Sequence, residues 1–261
     1  MKGEGGREER LRRDRVRDYY QNNPLMVSSP FGGVEGVNRE LLLHVFDRLD
    51  IGLQGKRILD VGCGRGYIGE VVRDEGGDYV GVDIVMTSSS VSLQRAVADA
   101  AQLPFRDAHF DGLLCIDAFE HFPDTLRAAK EFHRVLEPGG FVFLSVPNYA
   151  NVAGLVKWYC EHFGRYAKDT WAPFRNWQPQ ELEKPLTGAK VRRVFQAAGF
   201  NSMRRIGHDL EVGLGLFPWL AHPSMPEAST YRLQRLFATV APFLVRPFPT
   251  ISLHHFWKLV K

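Results

Sequence analysis

Residues 56–66 of this chain read Lys-Arg-Ile-Leu-Asp-Val-Gly-Cys-Gly-Arg-Gly, a short apolar strand with an acid near its end and then glycines at every second position. A second apolar run, residues 79–82, is followed directly by Asp83. Glycines let a backbone approach a ligand closely, and a carboxylate after the next strand can accept hydrogen bonds from both hydroxyls of a ribose. The pattern therefore predicts a site for the adenosine half of a nucleotide-like cofactor.

The glycine spacing favours a cofactor without a pyrophosphate. The dinucleotide fingerprint G-x-G-x-x-G would place its third glycine at position 67, where Tyr67 stands. Asp60, at the mouth of the turn, would repel a phosphate and suits a ligand with a cationic or ammonium end. S-adenosyl-L-methionine is the simplest cofactor with these properties.

Five segments of the chain resemble the motifs of the class I S-adenosylmethionine-dependent methyltransferases, in the order in which that family carries them. The matching segments are 58–66, 80–84, 97–105, 110–121 and 133–147. In these central motifs the chain is similar to ubiquinone-type and natural-product O-methyltransferases. The glycine turn alone would be a weak signal, whereas five motifs in order are a strong one.

Short apolar runs alternate with amphipathic stretches, a pattern typical of a parallel sheet with helices on both faces. The predicted strands are 56–61, 78–83, 93–98, 110–116, 141–146, 201–208 and 253–261, and the predicted helices are 39–49, 66–75, 125–136 and 188–198. The fold class that the resemblance implies is α/β: a doubly wound, Rossmann-like sheet of seven mostly parallel strands with an antiparallel last strand, plus helical lid insertions.

The predicted organisation is an N-terminal arm and lid, 1–37, followed by a methyltransferase domain, 38–261. Two insertions interrupt that domain. The segment at about 148–187 is rich in aromatic residues and is either a helix that covers a sheet edge or a substrate lid. The segment at about 210–251 holds two apolar runs broken by proline, which are too short for a membrane span. It forms either core packing or an apolar cap that contacts a membrane surface or a lipid-like substrate.

The resemblance assigns four residues to the nucleoside of the cofactor. Asp83 accepts hydrogen bonds from both ribose hydroxyls, and Ile84 lies against the adenine. Asp99 accepts from the exocyclic amine of the adenine, while the backbone of Ala100 contacts the edge of the ring.

Other residues are assigned to the amino-acid end of the cofactor and to the sheet edge. Asp60 orients the amino-acid end, directly or through water, above the backbone of Gly62 and Gly64. Cys63, between the glycines, is a small filler, since nothing near it in sequence would lower its pKa. Asp117 follows a strand at the carboxyl edge, where open α/β sheets bind their ligands.

Methyl transfer requires chiefly that nucleophile, carbon and sulfur be aligned, so a general base is optional. A base becomes useful when the acceptor is a phenol or alcohol. His121 is the candidate base, because it follows a strand by a few residues and histidine suits this role near neutral pH. Local packing of His121 at the start of a helix explains it equally well. The weaker candidates are Tyr20, Glu120, His162 and His208.

Composition narrows the function further. A chain of 261 residues with 44% apolar residues can bury one substantial core, and a net charge of +3 is too mild to argue for nucleic acid. The three cysteines are widely spaced and predict neither a disulfide framework nor a metal site. No apolar stretch follows the first charged residues, so we expect no signal peptide and a cytoplasmic protein.

The sequence predicts methylation of a small apolar or aromatic acceptor, with O-methylation favoured over N- or C-methylation. One alternative is methylation of RNA or protein, with the N-terminal arginines as a docking arm. Another is a catalytically silent adaptor that retains the cofactor fold for partner binding. The intact glycine and acid positions argue against an adaptor. No oligomeric state is predicted.

Overall fold

The computed structural model describes residues 2–22, 32–33, 36–88, 92–148, 150–155, 186–207, 248–252 and 254–261, together with residues 158, 184, 232, 236 and 243. Helices α1 to α5 are Lys2–Asn22, Arg39–Arg48, Tyr67–Asp74, Thr125–Val135 and Gly188–Ala197. Strands β1 to β9 are Gly32–Gly33, Gly36–Val37, Arg57–Val61, Asp78–Asp83, Arg95–Val97, Phe110–Ile116, Leu136–Pro147, Ser202–Gly207 and His254–Val260.

Seven of these strands form one sheet in the order β5-β4-β3-β6-β7-β9-β8. The pairs β4–β5, β3–β4, β3–β6 and β6–β7 are parallel. The amide of Lys261, after β9, donates to Gly140 near the start of β7, and the amide of Asn201, before β8, donates to Val260 at the end of β9. The end of β9 thus meets the starts of both neighbours, so β9 is antiparallel to them, and the predicted fold class is confirmed.

The chain winds outward in both directions from the centre of this sheet. From β3 it runs to β4 and β5 on one side, and it then returns to β6 and β7 on the other. The carboxyl ends of β3 and β6 therefore lie side by side at the point where the winding reverses. Open α/β sheets bind ligands at such a point.

Helix ends follow from the local sequence. The Asn38 side chain accepts a hydrogen bond from the amide of Leu41 at the start of α2, as the sequence predicts. The Asp124 side chain accepts in the same way from the amide of Arg127 and caps α4. The strand β7 differs from the prediction: it begins at Leu136, directly after α4, and not at residue 141. The register shift between β6 and β7 near Gly112 accommodates the added residues.

The chain divides into two compact units. The first comprises Met1–Ser145, Arg192–Arg204 and Trp257–Lys261, and the second comprises Val146–Val191 and Arg205–Phe256. In the first unit, Phe119, Phe132 and Phe195 are fully buried and their rings cluster within 6.5 Å. Because Phe119 begins the 3-10 turn Phe119–His121, this cluster fixes the turn at the end of β6.

In the second unit, asparagine side chains bind the short turn that precedes β9. Asn148 donates to the carbonyls of Thr250 and Ser252 over 2.6 and 2.8 Å, and Asn151 donates to that of Ser252 over 2.7 Å. Burial lowers the pKa of His255 to about 3, so this ring is neutral. Most of both predicted insertions, 148–187 and 210–251, lies outside the described residues. In the part of the chain that is described, no helix is both long and apolar enough to cross a membrane.

Candidate functional site

The glycine turn after β3 follows a tight path that only glycine adopts readily. Gly62, Gly64 and Gly66 have φ values of +81°, +50° and +81°. A Cβ at Gly62 would lie 2.4 Å from the Cβ of Ala118. A Cβ at Gly64 would meet no atom of the described residues within 4 Å. The turn is therefore closed at Gly62 and open at Gly64, where a ligand can approach the backbone.

Asp83, at the end of β4, is bound to this turn. Its Oδ2 accepts a hydrogen bond from the amide of Gly64 over 2.8 Å, and its Oδ1 accepts from the amide of Val85 over 3.2 Å. Burial raises the pKa of Asp83, and the amides of Gly64, Val85 and Ile84 oppose that rise. Each carboxylate oxygen can accept a further hydrogen bond, so the group can still bind two ribose hydroxyls. Ile84 is half-buried beside it.

Asp60 is only 2% exposed, on β3 below the turn. Its Oδ2 accepts a hydrogen bond of 2.8 Å from the hydroxyl of Tyr79. Burial raises the pKa of Asp60 to about 7, with a further rise from the charge of Asp83, while the bond from Tyr79 lowers it. Asp60 therefore titrates near neutrality, and a cationic ligand would favour its ionised form.

Cys63 fills space under the turn. A Cβ at Gly81 would lie 2.9 Å from its Sγ, so the thiol packs against that glycine. Burial and the charges of Asp60 and Asp83 raise the pKa of the thiol, which keeps it protonated. A protonated thiol is a poor nucleophile, in line with the expected role of filler.

Asp99 and Ala100 form a tight turn after β5. Asp99 Oδ1 accepts from the amide of Ala101 over 2.9 Å, and Arg13 of α1 places its Nε 2.9 Å from Oδ2. The amide of Ala98 donates to the carbonyl of Asp83 over 2.8 Å, which holds this turn beside the carboxylate that is predicted to bind the ribose. Ala100 is buried. The helix α1 thus reaches the residues expected at the adenine.

The end of β6 carries the remaining candidates. Asp117 adopts a positive φ of 47°, and its Oδ1 accepts a hydrogen bond of 2.6 Å from the hydroxyl of Ser145. A non-glycine residue with this φ is strained, and such strain clusters at functional sites. His121 is 9% exposed, and its Nε2 lies 3.7 Å from Oε1 of the buried Glu120. The contact between Gly62 and Ala118 joins this group to the glycine turn.

Sequence reasoning missed three residues of this site. Arg95 donates from Nη1 to the carbonyls of Gly64 and Thr87, over 2.9 and 3.2 Å. Tyr79 binds Asp60, and a buried tyrosine hydroxyl that needs a partner was a readable signal. Arg95 could also have been singled out in the sequence, because it is a charged residue within a predicted strand. Arg13 is one of many arginines in the arm, and nothing in the sequence distinguishes it.

An adenosine-bearing cofactor with a cationic end fits these residues. Gly64 leaves the turn open to a ligand, Asp83 is held in place by two amides, and Asp60, with a pKa of about 7, can become negatively charged when a cation binds. The N-terminus of α3 begins directly after the turn, where its dipole favours a carboxylate. Among the described residues, no cluster of histidine, cysteine or acidic side chains could hold a metal ion.

Comparison with known proteins identifies relatives of the chain. Residues 35–204 match the family described as a methyltransferase domain. The chain is 30% identical over 163 residues to a ubiquinone biosynthesis O-methyltransferase of Idiomarina loihiensis, covering 58% of this chain and 64% of the relative. A protein of the same name from Pseudomonas aeruginosa is 31% identical over 108 residues, covering 37% of this chain and 47% of the relative. The chain thus spans less than two thirds of the length of these curated relatives.

Solved structures share the fold. The crystal structure of a SAM-dependent methyltransferase from Archaeoglobus fulgidus superimposes with a TM-score of 0.56 at 18% sequence identity, covering 88% of this chain and 96% of that chain. At this identity the likeness shows the fold alone.

Proposed function

This chain belongs to the methyltransferase-domain family, and from that premise we propose that it transfers the methyl group of S-adenosyl-L-methionine to a small, apolar or aromatic acceptor. The family and its cofactor class, as predicted from the sequence, are confirmed. O-methylation is the proposed chemistry, because the relatives described above are O-methyltransferases by name.

One observation carries the proposal: the bond of 2.8 Å between the Gly64 amide and Asp83 Oδ2. This bond fixes the carboxylate beside the open side of the glycine turn. A bound cofactor would supply an electrophilic methyl group on a sulfonium. Asp83 would hold the ribose, the turn would lie along the amino-acid end, and Asp60 would favour the cationic cofactor over its neutral product.

We assign the acceptor side of the reaction to the turn at the end of β6. A hydroxyl acceptor loses its proton during attack, and His121 would take that proton. The buried Glu120 carboxylate, 3.7 Å from Nε2, would stabilise the resulting imidazolium. Phe119 anchors the same turn in the aromatic cluster, so the ring of His121 is held in place and can act at a defined position.

A methyl-transfer screen with labelled cofactor tests the proposal across phenols, quinone precursors, lipids and RNA. We expect transfer to a phenol or quinone precursor. His121→Ala should lower kcat by about a hundredfold or more if the histidine is a general base, with cofactor affinity unchanged. Transfer only to RNA would support the alternative acceptor class. Failure of the purified protein to bind S-adenosylmethionine would refute the proposal altogether.

A pH profile separates the base from a packing role. A general base at His121 gives a kcat that falls as the pH drops and the ring is protonated. His121→Gln should abolish this fall in kcat at low pH while the protein remains folded. If His121 only packs locally, the variant will lose stability and keep the pH profile.

A further inference from the structure

Arg95 connects three parts of the cofactor site. It lies on β5, opposite Gly81 of β4. Its Nη1 donates to the carbonyl of Gly64 in the glycine turn and to that of Thr87 in the connection between β4 and β5. One guanidinium nitrogen therefore joins the two loops on either side of Asp83.

The stem of Arg95 runs beneath the glycine turn. A Cβ at Gly66 would lie 2.9 Å from Cδ of Arg95, so the methylene chain fills the space next to that glycine. Gly64 is thus held on both sides: its amide donates to Asp83 and its carbonyl accepts from Arg95. The first bond orients the peptide group before the Cα of Gly64 and the second orients the peptide group after it, so both peptide groups at the open side of the turn are held.

Arg95 also acts on the charge of the site. Its positive charge opposes the rise in the pKa of Asp83 that burial causes. It acts in the same sense on the thiol of Cys63 and on the hydroxyl of Tyr79. Within the described part of the chain, Asp60 from β3, Cys63 from the turn and Arg95 from β5 interact electrostatically with Asp83, and Arg95 is the cation of these three.

We propose that Arg95 is a positioning residue for S-adenosylmethionine: its hydrogen bonds to the carbonyls of Gly64 and Thr87 hold the glycine turn and the β4–β5 connection in the arrangement that presents Asp83 to the ribose. This inference rests on the proposed function. It predicts a role in cofactor affinity rather than in the transfer step, because Arg95 contacts the turn and not the end of β6.

The test is calorimetric titration of S-adenosylmethionine and S-adenosylhomocysteine into the full chain between pH 5 and pH 8. Arg95→Gln should raise Kd for both compounds by about tenfold, because hydrogen bonds from a charged donor are among the stronger ones. Arg95→Lys should raise Kd by a smaller factor, since lysine retains the positive charge but lacks the planar guanidinium with its several N–H donors. Arg57→Gln is the matched control: Arg57 begins β3 at the opposite end of that strand and pairs with Asp111 and Glu137.

The pH dependence distinguishes an electrostatic role from a structural one. Binding weakens as the pH falls because Asp60 and Asp83 each take up a proton, and of these two carboxyls it is Asp83 whose pKa responds to the charge of Arg95. In Arg95→Gln that loss should begin at a higher pH, and in Arg95→Lys it should stay near its wild-type position. Arg57→Gln should leave both the pH profile and Kd within about twofold of wild type.

Several results would overturn the inference. One is an Arg95→Gln Kd within twofold of wild type together with an unchanged pH profile. Another is an equal loss in Arg57→Gln, which would show that any lost arginine weakens the fold. If Arg95→Gln does not fold, the Kd and pH profile of Arg95→Lys decide. If wild-type protein does not bind the cofactor, the proposed function fails too, whereas normal wild-type binding with an unaffected Arg95→Gln refutes the role of Arg95 alone.

Discussion

Replacing Asp60 with asparagine should stabilise the folded protein at neutral pH. Asp60 is 2% exposed, and burial raises its pKa to about 7 from an ordinary value of 3.8. In the folded state the carboxyl keeps its proton over a pH range in which the unfolded chain has already released it. Stability from this group is therefore greatest below about pH 4 and falls as the pH rises to 7.

The difference of roughly three pKa units sets the magnitude. At 1.36 kcal/mol per unit, ionised Asp60 lowers the free energy of unfolding by something on the order of 4 kcal/mol above pH 7. Asparagine has nearly the same shape and can still accept the bond from Tyr79, but it carries no charge. The advantage of Asp60→Asn over wild type should grow with pH between 4 and 7 and then level off.

Urea unfolding at half-unit steps from pH 4.5 to pH 8 measures this advantage. Taking the difference between variant and wild type removes the contribution of all other carboxylates. Asp47→Asn, at an exposed position of α2, is the control and should show no such growth. Tyr79→Phe removes the hydrogen bond that lowers the pKa of Asp60, so in this variant the pH range over which the free energy of unfolding falls should extend to a higher pH than in wild type. An Asp60→Asn advantage that is constant across the pH range would refute the reasoning.

Three further predictions concern the same region. Gly62→Ala should lower the free energy of unfolding by about 2–5 kcal/mol, because position 62 has a positive φ and an added Cβ would clash with Ala118. Gly64→Ala should lower it by only about 1–2 kcal/mol and should mainly abolish cofactor binding. Equal unfolding midpoints in urea for the two variants would contradict this. Arg13→Ala should tighten cofactor binding by up to about fivefold, because Arg13 then no longer competes with the adenine amine for the partly exposed carboxylate of Asp99. Weaker binding in calorimetry would instead show that Arg13 helps to hold the ligand. Cofactor binding at pH 6 should release protons, since a cationic ligand lowers the pKa of Asp60, and titrations in two buffers of different ionisation enthalpy would detect it; identical heats in both buffers would contradict it.

The sequence predicted the fold well where the signals were local. The strand 110–116 and the helix capped by Asn38 lie where periodicity and capping placed them. The start of β7 was missed because Pro138 and two glycines read as a loop, yet the structure extends the strand through them. Turn residues predict an end of regular structure, and pairing with β6 overrode that tendency.

The candidate site could be predicted only in part. Asp60 and Asp83 could be proposed from the sequence because each lies at or near the end of an apolar strand in a recognisable pattern. Arg95 and Arg13 act through contacts with residues distant in sequence, and such contacts depend on tertiary packing. The roles assigned to the site residues remain predictions until the cofactor is measured in place.

The contact between Gly62 and Ala118 joins the glycine turn to the segment after β6. Ala118 immediately precedes the turn that carries His121, and no room remains between its methyl group and Gly62 for another carbon. A shift of the glycine turn, the proposed site of the methyl donor, would therefore push directly on the segment that bears the proposed proton acceptor. A substitution at position 62 should therefore destabilise the protein least when position 118 is glycine, so the effects of substitutions at the two positions should depend on each other.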